Sequence, residues 1–347
     1  MTRHMFAGAL TPLGFVDFFD HAILPTQKAQ SRYFLKGASG GGKGTFMRRV
    51  ADRLAEHGHE IELFHCANDA NSLDAVVAPH LGLCIMDATA PHSRDPQIPA
   101  VTDHIIDFAQ FLDKSKLANY KQELENLAND KKVLMAKAQG YLAAAGKVYN
   151  ADKAAAETAL TRRGKLCSPI SNTQCISKNR QLFLSTITPE GLISYADNAF
   201  DDCHVYDIRT EEQIGASQLL ADIQQTANAN GINTETFHHP LDPSQISHLH
   251  IPDHKQAFIT SCAIFGYNGK ISETIDLTPC INPAMFERIK VNMEQDNELL
   301  NALIEQAAEQ LSHAKALHTK IERIYIGAMD FGLVDEMTEG FLEKMFA

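Results

Sequence analysis

The sequence predicts an α/β protein of two tandem halves, each a doubly wound parallel sheet followed by a long helical hairpin. Three observations predict this fold. Residues 3–23 recur as residues 180–200, strand-like apolar runs precede amphipathic helical stretches in both copies, and a long segment with heptad-like apolar spacing closes each half. The 347 residues are 44% hydrophobic and 21% charged, which suits a globular chain of two ordinary domains.

The internal repeat sets the predicted domain boundaries. Seven residues are identical at the start of the two copies: Arg3, Phe6, Thr11, Pro12, Gly14, Asp20 and Ala22 match Arg180, Phe183, Thr188, Pro189, Gly191, Asp197 and Ala199. The match continues after a four-residue shortening, where Phe64-His65 corresponds to Phe237-His238. We therefore expect a first domain at 1–163, a linker at 164–179 and a second domain at 180–347.

A glycine-rich loop follows the first strong strand pattern. Residues 37–45 read Gly-Ala-Ser-Gly-Gly-Gly-Lys-Gly-Thr directly after Tyr33-Phe34-Leu35, and an apolar stripe of helical period begins at Phe46 and stops at Gly58. The order strand, glycine loop, helix is that of a phosphate-binding loop, whose backbone amides and lysine hold a polyphosphate. The predicted nucleotide-binding residues are Gly37, Ser39, Gly40, Gly41, Gly42, Lys43, Gly44 and Thr45.

One position departs from the common GxxxxGK[ST] pattern. Gly44 stands where a Ser or Thr hydroxyl normally reaches Mg²⁺, and the hydroxyl comes one residue later, at Thr45. The Gly-Lys-Gly-Thr ending resembles the phosphate loop of adenylate kinases and related nucleotide kinases. This resemblance favours phosphoryl transfer or loose nucleotide binding over a switch that depends on direct Mg²⁺ ligation.

A second acidic motif follows about 40 residues later. Leu83-Cys84-Ile85-Met86-Asp87 is a continuous apolar run that ends in a carboxylate, as expected of a buried parallel strand. We expect Asp87, with Thr45, to hold Mg²⁺ beside the β- and γ-phosphates. Ala88 follows it where motor-type ATPases often have a water-activating glutamate, so fast autonomous hydrolysis is not expected.

Three further residues are candidates for the reacting end of the site. Asp69 and Asp74 follow the alternating strand 60–66, and either carboxylate could deprotonate an acceptor hydroxyl as general base. The alternative for both is an ordinary turn or capping aspartate. His92, shortly after Asp87, is either a phosphate or acceptor contact or a loop histidine with a local hydrogen bond.

The second copy keeps the apolar pattern of the first and loses its charged groups. Ala216 stands in place of Lys43, Thr260 in place of Asp87, and the loop reads Thr210-Glu211-Glu212-Gln213. Bulky and acidic side chains where phosphate would lie predict a degenerate repeat without a nucleotide site.

The two long helical segments are predicted to pack as hairpins or coiled-coil arms. In the first, Lys131, Lys132, Arg162 or Arg163 could reach phosphate from a lid, and the alternative is a solvated charged surface. Either arm could also engage a protein partner.

Composition limits the function classes. The net charge of −12 argues against general nucleic-acid binding, and no apolar run has membrane-spanning length. Seven cysteines without a CxxC pair, together with the absence of a secretory apolar region, predict a cytoplasmic protein with reduced thiols.

Several of these motifs together resemble a little-characterised bacterial family of tandem-repeat P-loop proteins, usually labelled ATPase or nucleotide-kinase-like. The stretches that carry the resemblance are Phe6-Ala7 through Phe15, the glycine loop, Phe64-His65-Cys66 with Ser72-Leu73-Asp74, Asp87 with Thr89-Ala90-Pro91-His92 and Asp95-Pro96, and Tyr325 with Ala328-Met329-Asp330-Phe331. The resemblance implies a P-loop fold that binds ATP, and it implies no particular substrate.

Two functions therefore remain open from the sequence. The first is an ATPase or a kinase-like phosphotransferase that acts on a small-molecule or nucleotide acceptor at the amino-terminal site, with Lys43, Asp87 and Asp69 or Asp74 as its catalytic residues. The second is a nucleotide-sensing regulatory or scaffold protein with little or no turnover. ATP is the expected nucleotide because no Asn-Lys-x-Asp guanine motif occurs.

Overall fold

The computed structural model describes residues 2–23, 29–161, 177–262 and 264–346. It shows an α/β protein with two six-stranded mixed sheets and long helices. In chain order the strands are β1 (Thr2–Met5), β2 (Gly8–Thr11), β3 (Gly14–Asp17), β4 (Ser31–Lys36), β5 (Ile61–Cys66), β6 (Asp69–Ala78), β7 (Leu83–Asp87), β8 (Asp103–Asp107), β9 (Asn179–Leu182), β10 (Ser185–Thr188), β11 (Gly191–Ser194), β12 (His204–Arg209), β13 (Thr234–His239), β14 (Asp242–Ile251), β15 (Gln256–Ile259) and β16 (Glu273–Asp276). The helices are α1 (Phe19–Ala22), α2 (Lys43–Glu56), α3 (Lys114–Leu117), α4 (Lys121–Glu157), α5 (Ala216–Ala229), α6 (Pro283–Ile326) and α7 (Phe331–Phe346).

The packed residues form two compact units that do not follow the linear order of the repeat. The first unit comprises Met1–Ala7, Ile23–Lys137 and Glu309–Ala347, and the second comprises Gly8–Ala22 and Ala138–Ala308. The predicted division at 164–179 marks the sequence repeat, and most of that linker lies outside the described residues, as do Arg162 and Arg163.

The sheet of the first unit has the strand order β1-β5-β6-β7-β4-β8. Its strands run parallel except β6, which is antiparallel to both β5 and β7. The prediction of a wholly parallel sheet is therefore wrong at one strand. The physical reason is the connection between β5 and β6, because two residues, Ala67 and Asn68, can join only antiparallel neighbours.

Helix α2 confirms the apolar stripe that begins at Phe46. Phe46, Met47, Val50 and Leu54 are all buried and pack in the same core as Leu35 and Ile85 of the sheet. The helix ends at Glu56, and Gly58 follows in the left-handed conformation with its amide bonded to the Ala55 carbonyl.

The second unit has a sheet of matching topology. Its order β9-β13-β14-β15-β12-β16 repeats the connectivity of the first sheet, again with one antiparallel strand, β14. The irregularity in pairing also recurs. The register of β5 on β6 shifts on either side of His65, and that of β13 on β14 shifts on either side of His238. The sequence repeat is therefore a repeat of structure down to a local bulge.

The repeated Thr-Pro-x-Gly turns form two hairpins, and both belong to the second unit. Thr11 Oγ1 donates to Gly14 O and accepts from the Leu13 amide, and Thr188 does the same with Gly191 O and the Glu190 amide. Hairpin β2–β3 comes from the amino-terminal half of the sequence, although it packs within the second unit.

Each long helical segment forms one continuous helix instead of the predicted hairpin. Helix α4 has 37 residues and α6 has 44. Neither contains a proline beyond its first turn, and Ala, Leu, Lys, Glu and Gln, which favour helix, dominate both. Among the helices that the structure describes, none carries an apolar stretch able to traverse a bilayer.

Two glycines of α4 give a matched test of packing in the second unit. A Cβ atom at Gly146 would lie 2.4 Å from Pro12 Cγ, whereas one at Gly140 would meet no atom within 4 Å. We expect Gly146→Ala to lower the free energy of unfolding by about 1–3 kcal/mol through overpacking. Gly140→Ala should raise it by about 0.5–1 kcal/mol because alanine favours helix.

Urea unfolding monitored by circular dichroism measures both changes. Equal effects of the two substitutions would contradict the close approach of α4 to the β2–β3 turn.

Candidate functional site

The glycine loop connects the carboxyl end of β4 to the amino end of α2. Gly42 caps the helix with φ of +93°, a conformation that favours glycine, and its carbonyl accepts the first helical hydrogen bond, from Phe46 N at 2.9 Å. The amides of Lys43, Gly44 and Thr45 precede that bond, so they face out of the helix end without an acceptor in the helix. The loop therefore directs several N–H groups and the positive end of the helix dipole to one place.

A close approach by α6 explains the glycine at position 40. A Cβ atom there would lie 3.0 Å from both Glu322 O and Ile326 Cγ1, and Gly40 has φ of +75°. Only glycine meets both requirements. The carboxyl-terminal turns of α6 thus lie directly against the loop, within the first unit.

Lys43 is buried beneath the loop that precedes it. Its Nζ donates hydrogen bonds to Gly37 O at 2.9 Å and Ala38 O at 2.8 Å, and lies 3.7 Å from Asp87 Oδ2. Burial lowers the pKa of Lys43, and the neighbouring Asp87 carboxylate opposes that shift. The ammonium group is thus held by neutral carbonyl oxygens that an anionic oxygen could replace.

Asp87 reaches the loop because β7 lies beside β4. The two strands are parallel, with Leu35 opposite Asp87, so both end at the same sheet edge. Asp87 Oδ1 accepts hydrogen bonds from Thr89 N at 3.0 Å and Thr89 Oγ1 at 2.6 Å, which leaves Oδ2 on the side of Lys43. The structure therefore brings together the loop, the lysine and the aspartate.

These residues line a cavity of about 430 Å³, a size typical of small-molecule sites. Its walls include Ser39, Gly40, Gly41, Gly42, Lys43, Gly44, Thr45, Cys66, Asn68, Asp69, Ser72, Asp74, Asp87, Thr89, His92, Lys131, Lys315, His318, Thr319 and Glu322. Of the predicted loop, magnesium and general-base residues, all of which the structure describes, Gly37 alone is not part of this lining, and its carbonyl binds Lys43 instead. Of the two lysines of α4 that could reach phosphate, Lys131 lines the cavity, whereas Lys132 is exposed and lies outside the lining. No group of three or more His, Cys, Asp or Glu side chains suited to a metal ion occurs in the part of the chain that the structure describes.

The two candidate general bases have different surroundings. Asp69 Oδ1 accepts a hydrogen bond from Lys315 Nζ at 3.0 Å, so its charge is paired. Asp74 is buried, and burial raises the pKa of its carboxyl group to about 6, against the opposing effect of His92. A carboxylate that exchanges its proton near neutral pH suits acid–base chemistry, so the raised pKa of Asp74 and the pairing of Asp69 with Lys315 favour Asp74 as the candidate base.

His92 and Cys66 are neighbours of the Asp74 carboxyl group. His92 Nε2 lies 3.6 Å from Asp74 Oδ1, and both side chains are buried. Burial raises the pKa of the Cys66 thiol, and the Asp74 carboxylate raises it further, so the thiol stays protonated. His92, which the sequence left open as a ligand contact or a local loop residue, therefore lines the cavity beside Asp74.

Helix α6 forms part of the cavity wall, which no sequence pattern predicted. Lys315, His318 and Glu322 lie three and four residues apart, so they share one face of the helix, and that face lines the cavity. Lys131 of α4 meets them, with Nζ 3.0 Å from His318 Nδ1. The polar residues at helical spacing were a signal in the sequence, but the apolar heptad pattern around them indicated only a packing helix.

The corresponding loop of the second unit is filled by its own side chains. Gln213, buried, donates from Nε2 to Thr260 Oγ1 at 2.9 Å, at the position that corresponds to Asp87. The amide of Gly215, which caps α5, donates to Glu157 Oε1 at 3.0 Å. A carboxylate of the chain itself thus occupies the helix end, where the first unit leaves space.

The protein is thus of the α/β class, and the cavity beside its glycine loop lies at one edge of the first sheet. No family model, curated protein or solved structure matches it.

The buried carboxyl group of Asp74 predicts a pH dependence of stability. Because its pKa in the folded protein is about 6, above the ordinary value near 4, the folded state retains a proton that the unfolded chain releases between about pH 4 and 6. The free energy of unfolding therefore falls as pH rises through this window. We expect Asp74→Asn to remove about 2 kcal/mol of that fall.

Urea unfolding of wild type and Asp74→Asn from pH 4 to 7 measures the difference. Ser72→Ala, at a polar cavity residue of the same strand that does not ionise, is the control and should keep the wild-type slope. If the free energy of unfolding of Asp74→Asn fell with pH as steeply as that of the wild type, the raised pKa of Asp74 would be contradicted.

Proposed function

We propose that the first unit is a P-loop-type domain that binds Mg²⁺·ATP and transfers its γ-phosphoryl group, slowly to water or faster to a small acceptor. The observation that carries this proposal is the convergence of Lys43 and Asp87 under a glycine loop at the amino end of α2. Loop amides, helix dipole and ammonium group all favour the same polyanion.

Lys43 supplies the charge for the β- and γ-phosphates. Its ammonium group now binds two neutral carbonyl oxygens, at Gly37 and Ala38. Phosphate oxygens are anionic and form stronger charge-assisted hydrogen bonds, so they compete favourably for the same donors. Binding would therefore replace local contacts of Lys43 instead of requiring a new position for α2.

Asp87 and Thr45 are the residues that would hold Mg²⁺. Both offer the oxygen ligands that this ion prefers, and Mg²⁺ bound with nucleotide usually takes only one or two protein ligands, because phosphates and water supply the rest. The two side chains of Asp87 and Thr45 therefore suffice for a Mg²⁺ ion that is bound together with a nucleotide. When bound, the ion neutralises charge on the β- and γ-phosphates.

Asp74 is the proposed general base. In the transfer reaction the acceptor oxygen forms a bond to the γ-phosphorus, the bond to the β,γ-bridging oxygen breaks, and the acceptor's proton passes to an Asp74 carboxylate oxygen. Its pKa of about 6 leaves the carboxylate available near neutral pH. Asp69 has a structural role in this proposal, because its ion pair with Lys315 holds α6 against the cavity.

A nucleotide sensor with little turnover is the second candidate. The observation that favours it is the contact of Gly40 with Glu322 and Ile326, because α6 then responds directly to what the loop holds. On this reading the helices engage a protein partner, and the missing glutamate after Asp87 reflects a site that is not built for hydrolysis.

The cellular compartment and the absence of a nucleic-acid partner are proposed from the composition of the chain. We infer a cytoplasmic protein from the reduced-thiol pattern of its seven cysteines, and we infer no nucleic-acid partner from the net charge of −12. Gln213 fills the corresponding loop of the second unit and Glu157 of α4 binds the end of α5, which supports one nucleotide site per chain.

Calorimetric titration with Mg²⁺·ATP tests the binding site. We expect one ATP per chain, and Lys43→Ala should weaken binding roughly 10- to 100-fold through loss of a charge-assisted contact. Lys132→Ala, at an exposed lysine of α4, is the control and should bind as wild type. No heat of binding, or equal affinity of the Lys43 variant, would refute the proposal.

Measurement of ADP release separates the two candidate functions. ADP release that rises with pooled metabolites supports the transferase, and tight binding without ADP release supports the sensor.

Gly44→Ser tests the proposed metal position. A Cβ atom there would lie 3.6 Å from Ser72 Oγ, an ordinary contact, so the side chain fits. A hydroxyl next to Lys43 adds a ligand for Mg²⁺, and we expect ATP binding with Mg²⁺ to tighten roughly threefold to tenfold relative to ATP with EDTA. Gly44→Ala adds the same Cβ without the hydroxyl and should leave that ratio unchanged. If both variants changed the ratio equally, Mg²⁺ would lie elsewhere.

A further inference from the structure

The cavity has a second polar wall that carries two ammonium groups, and its main helix packs against the glycine loop at Gly40. One face of α6 forms most of it, with Leu311, Lys315, His318, Glu322 and Ile326 at spacings of three and four residues. Lys131 of α4 completes it. All these residues belong to the first unit, and none is required to explain how the loop and Lys43 bind a nucleotide.

Lys131 is held in the wall by a neutral histidine. Its Nζ lies 3.0 Å from His318 Nδ1, and an ammonium group can only donate, so the imidazole nitrogen accepts. Burial, together with the nearby Lys131 charge, lowers the pKa of His318 to about 4. His318 therefore orients the ammonium group without adding to or cancelling its charge.

The charge of Lys131 lacks a direct counterion. No carboxylate lies within 4 Å of its ammonium group among the residues that the structure describes, and Glu322 influences it only at longer range. Partial burial lowers the pKa of Lys131, as expected for a cation that has lost part of its water shell. Such a group is stabilised by an anion that enters the cavity.

Lys315 supplies a second ammonium group on the same wall. It precedes His318 by three residues, so the two side chains are neighbours on the helix surface. Its Nζ binds Asp69 at the cavity edge at 3.0 Å. Lys315 shares one of its three donors with Asp69, and together with Lys131 it presents several N–H groups with little directional constraint beside one imidazole. Such a set of donors suits a tetrahedral oxyanion.

We propose that this wall, through Lys131 and Lys315, binds the phosphate group of a second small-molecule ligand. The proposal deepens the transferase reading, on which it rests, by naming the acceptor as a phosphorylated small molecule. The size of the cavity, about 430 Å³, lies in the range of small-molecule sites. The acceptor's own phosphate stays on the Lys131 wall, and a hydroxyl of the same molecule lies towards Asp74 and the glycine loop.

Inorganic phosphate is the probe for the second site. The protein is first saturated with Mg²⁺ and β,γ-imido-ATP, which fills the glycine loop, and is then titrated with phosphate and, separately, with acetate. We expect phosphate to bind the wild type and Lys132→Ala equally, and Lys131→Ala to weaken that binding at least tenfold. Acetate, with a single carboxylate, should bind more weakly than phosphate.

Lys131→Gln serves as a second variant that keeps a polar side chain, and the circular dichroism melting curve of each variant confirms folding. Absence of phosphate binding to the saturated wild type would overturn the proposal. So would equal phosphate affinity of the Lys131 and Lys132 variants, or acetate binding as tight as phosphate, which would instead assign the wall to carboxylates.

A variant without the nucleotide contact separates this proposal from the function on which it rests. Lys43→Ala should bind ATP roughly 10- to 100-fold more weakly yet still bind phosphate, and the added Lys131→Ala change should abolish that phosphate binding. If no nucleotide binds any variant but this dependence on Lys131 persists, the ATP proposal fails and the anion site stands. If ATP binds through Lys43 and phosphate binding ignores Lys131, the anion site fails alone.

Discussion

The buried ammonium group of Lys43 constrains the whole of the first unit. A cation taken out of water must be surrounded by oxygen atoms, and here the oxygens come from Gly37, Ala38 and Asp87. The first two require the loop to curl back over the lysine. The third requires β7 to lie beside β4 and to end at the same level. Helix α6 then closes over Gly40, where no side chain could fit.

The second unit shows what the same scaffold becomes when this charge is removed. Its sheet keeps the strand order and even the bulge of the first, so the apolar core does not depend on the site. In place of the lysine and aspartate it has a neutral hydrogen bond between Gln213 and Thr260, and Glu157 meets the helix end. The packing of the apolar core and the buried lysine–aspartate pair are thus separable features of this repeat.

Local features of the site were readable from the chain because each depends on neighbours in sequence. The glycine loop, the stripe of α2 from Phe46, and the apolar strand that ends in Asp87 all lie where their patterns predicted. The direction of β6 was not predicted, because a wholly parallel sheet was inferred from strand pattern without the two-residue connection at Ala67. The long helices were predicted as hairpins because heptad spacing does not say whether a helix turns back.

The sequence by itself determined the secondary structure around the loop, the repeat, and the loss of charge in the second copy, since these follow from residue type and short-range spacing. Only the tertiary structure decided which carboxylate is buried and which is paired. Asp74 and Asp69 lie five residues apart, but burial and the distant Lys315 give them different chemistry. It also brought Lys131 to His318, 187 residues apart in the chain. Electrostatic environment depends on what folds over a residue, and long-range packing alone supplies that.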